Sequence, residues 1–300
     1  MLVLESSERR CGLMKYEFTK MQGCGNDYVY IDARKYHIDD PAALAVRISD
    51  RHFGIGSDGL ILVAPSEVAD ARMIMFNLDG SEGKMCGNGI RCVGKFVCDE
   101  WGVKKDTLTI ETRSGIKTLK MIFGEDGTVT GASVDMGRAI LSPELIPVDL
   151  PGERVVDREV EIDGEKYRIT CVSMGNPHAV VFVQDVLHLD LATIGPKFEH
   201  HPMFPESVNT EFVEILEPGL LRMRVWERGS GETWACGTGT CATVVAACLN
   251  GFANMGQDVH VILNGGELVI NYTDERVLMT GPAVTSFRGI YDDLASCMAS

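Results

Sequence analysis

The sequence predicts an α+β fold of two pseudo-symmetric lobes, each a mainly antiparallel sheet wrapped around one central apolar helix. Three observations carry that expectation. Two segments nearly repeat, GSEGKMCGNGIRC and GSGETWACGTGTC, placing Cys86 before Gly87-Asn88-Gly89 and Cys236 before Gly237-Thr238-Gly239. The cysteines stand 150 positions apart (236 − 86), half of the 300-residue chain, and each follows a glutamate, Glu82 or Glu232, by four positions. After each Gly-x-Gly comes a nearly charge-free helical run, IRCVGKFVC or TCATVVAAC. A helix without a polar face must be covered on every side. Short strand patterns make up most of the remainder.

In chain order, EFTKMQG and DYVYIDA read as strands, 41–50 as a helix, and LILVAP and RMIMFNL as strands. The helix 89–100 follows, then TLTIETRSG, IKTLKMIF and TVTGASVDM. A Pro-rich, irregular stretch at 141–151 lies soon after the expected boundary. The second half repeats the order with EVEIDGEKYRITCVSMG, HAVVFV, a short helix at 189–198, TEFVEIL and LRMRVWE. It closes with the helix 239–250, DVHVILNGGELVINY and RVLMTGPAV. EDG, IDG and LNGG are hairpin turn signals. The expected organisation is a disordered extension at 1–13, with Met14 the more natural start. An N-terminal lobe at 14–131, completed by 281–300, and a C-terminal lobe at 132–280 follow.

A net charge of −15 and a pI near 4.9 argue against nucleic acid or an anionic membrane as a partner. No apolar run approaches the ~18 residues of a membrane span, and 1–13 has no secretory apolar core. A cytoplasmic protein acting on a small molecule is expected. Ten cysteines in a long chain without secretory marks do not require disulfides. The gaps from Cys86 to Cys92 to Cys98 and from Cys236 to Cys241 to Cys248 are too wide for a zinc knuckle. Gly54 to Gly59 matches G-x-G-x-x-G, but a strand pattern follows it instead of a helix. Gly89 to Lys95 reads G-x4-G-K, but Phe96 stands where a phosphate loop needs Ser or Thr. No lysine is set apart as a Schiff-base candidate, and no cofactor is expected.

A cysteine at the entrance to a buried helix meets converging N–H groups and the positive end of the helix dipole, which lower a thiol pKa. Two such thiols facing one cleft suit the inversion of a carbon, in which one base removes a proton and an opposed acid delivers another. The proton on an amino-acid α-carbon is very weakly acidic. Fixed donors to its carboxylate are therefore needed as charge develops.

The segments GNDY, RHFGIGSDG, FNLDGSEGKMCGNGIRC, GNPH, VNTEFV and WERGSGETWACGTGTCA resemble diaminopimelate epimerase, in that family's order and over nearly the whole chain from Met14. The resemblance implies a cofactor-free interconversion of LL- and meso-2,6-diaminopimelate, on the route to lysine and peptidoglycan. It implies Cys86 and Cys236 as the catalytic pair, with Gly87-Asn88 and Gly237-Thr238 as backbone donors to the reacting carboxylate. It also implies Asn26, Asn77, Asn176, Asn209, Glu227 and Arg228 as substrate contacts, and His178 and Glu227 as groups that tune the thiols. Two departures stand out. Gly59 replaces a glutamine contact found in some members, and Phe287 replaces a tyrosine linked to dimer formation, so a homodimer is a weaker expectation. A racemase of the same fold, a thiol redox protein and a passive amino-acid-binding protein are the alternatives.

Overall fold

The computed structural model describes residues 14–293; the expected extension at 1–13 and the last residues, 294–300, lie outside the described residues. The first half contains β1 (Met14–Gly23), β2 (Asn26–Asp32), α1 (Pro41–Ser49), β3 (Gly59–Ala64), β4 (Ala71–Asn77) and β5 (Glu82–Gly83). Then come α2 (Gly87–Asp99), β6 (Thr107–Thr112), β7 (Gly115–Phe123) and β8 (Val129–Asp135). The second half runs β9 (Arg158–Ile162), β10 (Glu165–Ser173), β11 (Pro177–Val183), α3 (Leu191–Glu199), β12 (Asn209–Glu217) and β13 (Leu220–Glu227). It ends with β14 (Gly231–Thr233), α4 (Gly237–Leu249), β15 (Asp258–Leu263), β16 (Gly266–Tyr272), β17 (Val277–Pro282) and β18 (Val284–Asp293).

The halves pair alike. β1 with β2 and β10 with β11 are antiparallel, whereas β2 with β3 and β11 with β12 are parallel. The β4–β6 pair is parallel, as is β13–β15, and the β6–β7–β8 and β15–β16–β17 meanders are antiparallel. β18 pairs with β1 as β9 pairs with β10. Antiparallel β8 and β17 join the halves, with Ala132 opposite Gly281, so β8 continues past residue 131. The expected turn residues do sit between strands: Asp163 and Gly164 take positive φ (53° and 83°) between β9 and β10, where glycine meets no steric penalty.

The α+β two-lobed architecture is therefore as the sequence predicts, with one refinement. α2 and α4 are buried in one continuous apolar core that includes Ile90, Val93, Val97, Met136, Val244, Val245 and Met279. Smaller clusters lie under α3, around Phe198 and Phe212, and under α1, around Leu44 and Ile48. The α4 run has no charge to bury, but α2 carries Arg91 at 0 % and Lys95 at 8 % exposure. Lys95 is neutralised by Asp99 at 2.6 Å. No described helix is long and apolar enough to cross a membrane.

Candidate active site

Both helices begin two residues earlier than the sequence pattern suggests, at Gly87 and Gly237, because the cysteines themselves are the caps. Cys86 (φ −123°, ψ 121°) and Cys236 (φ −114°, ψ 111°) are extended N-caps, and each thiol accepts the N–H three residues on, Gly89 or Gly239, at 3.3 Å. Orphan N–H groups of a first turn need an acceptor, and sulfur supplies it here. The two helix starts abut: a Cβ on Gly237 would lie 3.5 Å from Gly87 Cα, and one on Gly87 would lie 2.9 Å from Met279 Cε. Glycine at both positions leaves room for Met279, which packs against the two starts.

The expectation of lowered thiol pKa values is corrected by how deeply both thiols are buried. Burial pushes the Cys86 thiol up, although the Gly89 and Asn88 N–H groups pull it down. Burial, with Glu227 and Glu211 nearby, pushes Cys236 well up. The helix-start donors act in the expected direction, but desolvation of a charge outweighs them. A raised pKa leaves the protonated, unreactive form in excess below it. In substrate-free protein, thiol alkylation should therefore climb as pH rises above neutral, and Cys86 should react at lower pH than Cys236. Peptide mapping after brief iodoacetamide treatment checks this; equal profiles for the two thiols would contradict it.

Around Cys86, the thiol donates to Asn26 Oδ1 at 3.2 Å, while Asn26 Nδ2 donates to Asp58 Oδ2 at 2.8 Å. Asp58 thus orients Asn26, and Arg51 holds Asp58 at 3.0 Å. That explains the glycine-rich match at 54–59: the loop delivers a carboxylate to the site, and β3 follows at Gly59. A Cβ on Gly59 would lie 2.1 Å from the Phe76 carbonyl, so this position has no room for a side chain. Asn77 is half-buried at the end of β4 and donates to Ser81 Oγ at 3.0 Å. Asn88 is buried, and its Nδ2 donates to the Ala235 carbonyl at 3.2 Å, leaving only its backbone for a ligand.

Around Cys236, Thr238 Oγ1 lies 3.5 Å from the thiol. Glu227 lies beside the thiol and accepts the Thr233 hydroxyl, and burial raises its pKa. His178 is fully buried, with Nδ1 2.7 Å from Glu211 Oε1 and Nε2 3.0 Å from Asn176 Oδ1. Asn209 is committed on both sides: Nδ2 donates to the Pro177 carbonyl and Oδ1 accepts the Arg228 N–H, each at 2.9 Å. Arg228 itself is exposed, with Nη1 donating to the Glu206 carbonyl at 2.7 Å. Glu82 and Glu232 face outward to Arg113 and Arg224 at 3.0 and 2.8 Å, so the carboxylates shared by the repeats are not part of the site.

Sequence reasoning missed Asp58, Tyr28 and Glu211. Tyr28 is buried beside Cys86 and Asn26. Glu211 is fully buried, and its Oε2 has no hydrogen-bond partner among the described residues. A Cβ on Gly239 would lie 2.4 Å from Glu211 Oε1, which places the carboxylate against the start of α4. The available signal was a charge inside a run, 208–213, that is otherwise apolar or small. Glu211→Ala should lower stability by about 1–3 kcal/mol, because the buried His178 ring loses its acceptor. An unchanged urea midpoint would contradict that role.

The model of the family described as diaminopimelate epimerase matches residues 18–142 and 170–286. A diaminopimelate epimerase from Desulfovibrio desulfuricans is 56% identical over 282 residues, covering 91% of this chain and 97% of that protein. One from Acetivibrio thermocellus is 52% identical over 277 residues, covering 92% and 98%. Among solved structures, a Bacillus anthracis protein of the phenazine-biosynthesis PhzF family superposes with a TM-score of 0.67 at 17% identity, covering 93% of this chain and 99% of that one. A probable proline racemase from Agrobacterium radiobacter superposes at 0.66 with 15% identity, covering 93% and 92%. These two likenesses concern the fold. Matched by the family model over most of its length, and by relatives at half identity or better, the chain belongs to the diaminopimelate epimerase family.

Proposed function

We propose that this chain is a cofactor-independent epimerase that interconverts LL- and meso-2,6-diaminopimelate, with Cys86 and Cys236 as its two opposed bases. One observation carries the mechanism: two cysteines cap two helices whose first residues touch. A thiolate on one side takes the α-proton, and the thiol on the other side delivers its own proton to the opposite face. The products are the inverted carbon and an enzyme with the thiol and thiolate exchanged. N–H groups of Gly87-Asn88 and Gly237-Thr238 meet the reacting carboxylate, where they oppose the charge that develops.

In this reading Asn26, Asn77, Asn176, Asn209, Glu227 and Arg228 hold the substrate, while His178 and Glu227 adjust the field at Cys236. The enzyme serves lysine and peptidoglycan precursor synthesis in the cytoplasm. The first lobe runs from residue 14 and is completed by the returning C-terminal segment, and the second ends near 280; the expected boundary at 131/132 shifts to the end of β8, because Val129–Asp135 is one strand paired to β7. A homodimer belongs to the same reading, and Phe287 on β18, 49 % exposed, is an apolar side chain left on the surface.

Incubation of the reduced protein with LL-diaminopimelate in heavy water should give α-deuterated meso product. A bound substrate that never exchanges would leave only a binding protein. Oxidation of the empty enzyme should inactivate it reversibly through a Cys86–Cys236 disulfide, since thiols that straddle one carbon come within bonding reach as the cleft collapses. Peptide maps before and after reductant test this, and inactive protein without that bond would contradict the opposed geometry.

A further inference from the structure

Arg91, in the first turns of α2, is fully buried. A buried guanidinium is ordinarily met by a carboxylate, because an unpaired charge is costly away from water. Here the acceptors are neutral. Nη1 donates to the Gly87 carbonyl, Nη2 to Asn88 Oδ1 and Nε to the Pro282 carbonyl, each at 3.1 Å. Two sulfurs complete the surroundings, Cys24 Sγ at 3.9 Å and Met279 Sδ at 3.8 Å. The chain makes room for this group: a Cβ on Gly23 would lie 2.9 Å from Nη2, and one on Gly281 would lie 3.1 Å from Cζ.

The guanidinium decides how Asn88 points. With Oδ1 taken by Arg91, Nδ2 faces the other half of the chain and donates to the carbonyl of Ala235, the residue before Cys236. Gly87, whose carbonyl receives Nη1, is the residue after Cys86. One side chain therefore touches the turn that carries the first thiol and, through a single amide, the segment that carries the second.

We propose that Arg91 is a positioning residue for the two-thiol reaction: it locks Asn88 as a strut between the two cysteine-bearing turns, and its charge backs the paired helix starts as the counter-charge for a thiolate and a bound carboxylate. This rests on the two-thiol reading above. The groups facing Cys86 are Asn26, Tyr28 and Tyr30 from β2, Arg91 and Cys92 from its own helix, Asp58 by way of Asn26, and Glu227 from β13. Cys24, with Glu267 beside it, and Cys241 also feel the Arg91 charge. Of these groups Glu227 pushes the Cys86 thiol up and Arg91 pulls it down.

Three variants separate the strut from the charge. Arg91→Met removes both, Arg91→Lys keeps the charge without the fork, and Asn88→Ala removes the strut alone. Cys86 alkylation in substrate-free protein should slow by about two- to threefold near neutral pH in Arg91→Met, with its inflection moved to higher pH, because loss of a nearby positive charge disfavours thiolate. Arg91→Lys and Asn88→Ala should keep the wild-type alkylation profile. Both should lose roughly 100-fold in kcat with KM held within about threefold, as expected when reacting groups are misplaced without loss of substrate contacts. If Arg91→Met does not fold, Arg91→Gln reads the charge in its place. An unshifted Cys86 profile in the neutral variant, or wild-type kcat in Arg91→Lys and Asn88→Ala, overturns the proposal. Heavy-water exchange by the wild type keeps the two readings apart: without exchange the epimerase reading itself fails, whereas exchange with unshifted variants sinks only the role of Arg91.

Discussion

Cys86→Ala and Cys236→Ala should each lower epimerisation by on the order of 10²–10⁴-fold while leaving the fold intact. Either variant keeps a group on one face of the carbon and lacks one on the other, so inversion has no route even if a proton is still removed. The structural cost should be small for Cys86, which is half-buried, and larger for Cys236, which is 5 % exposed within the shared core. Each variant also loses the acceptor for one first-turn N–H, Gly89 or Gly239. Serine would restore that cap but not the chemistry, since a hydroxyl is a far poorer base than a thiol at neutral pH. The check is the rate of conversion of LL-diaminopimelate to the meso form, with circular dichroism confirming the fold. Substantial turnover by either alanine variant would exclude the two-thiol mechanism.

Arg228→Lys should lower kcat/KM with little change in stability, by a factor equivalent to about 2–4 kcal/mol where the bound substrate buries a bidentate guanidinium–carboxylate pair. The substrate carries a second amino-acid head that does not react, and its recognition lets remote binding energy orient the reacting carbon. Arg228 is suited to that carboxylate because a guanidinium makes paired hydrogen bonds that an ammonium does not. Its backbone is pinned by Asn209, while its exposed side chain spends one donor on the Glu206 carbonyl. The fork is thus placed but not consumed. Lysine, which has the distal amine without the distal carboxylate, should be a very poor substrate of the wild type. Equal rates on lysine and diaminopimelate would remove the distal anchor and favour a racemase of the same fold.

The elements that sequence reasoning read correctly are those whose signal is local. Strand alternation, the turns at 163–164 and 264–265 and the two apolar helices depend on neighbours within a few residues, whereas the repeat that flags Cys86 and Cys236 is legible because two short segments 150 positions apart nearly match. The helices start two residues before the sequence pattern because a cysteine thiol, outside the usual capping residues, caps each of them. The thiol pKa values were misjudged for a different reason: the helix-start effect is written in the local sequence, whereas burial depends on everything packed around it. Glu82 and Glu232 looked equivalent in the repeats but point outward, because strand register settles their faces.

By itself, then, the sequence determined the α+β class, the duplicated plan and the pair of thiols at helix entrances, all set by short-range periodicity and spacing. Only the tertiary structure decided which polar groups surround those thiols. Asp58 reaches Asn26 across 32 positions, Glu211 meets His178 across 33, and Asn88 reaches Ala235 across 147. Such partners come together because a buried polar group must find a complementary one, and the sheet register chooses it from a distant part of the chain.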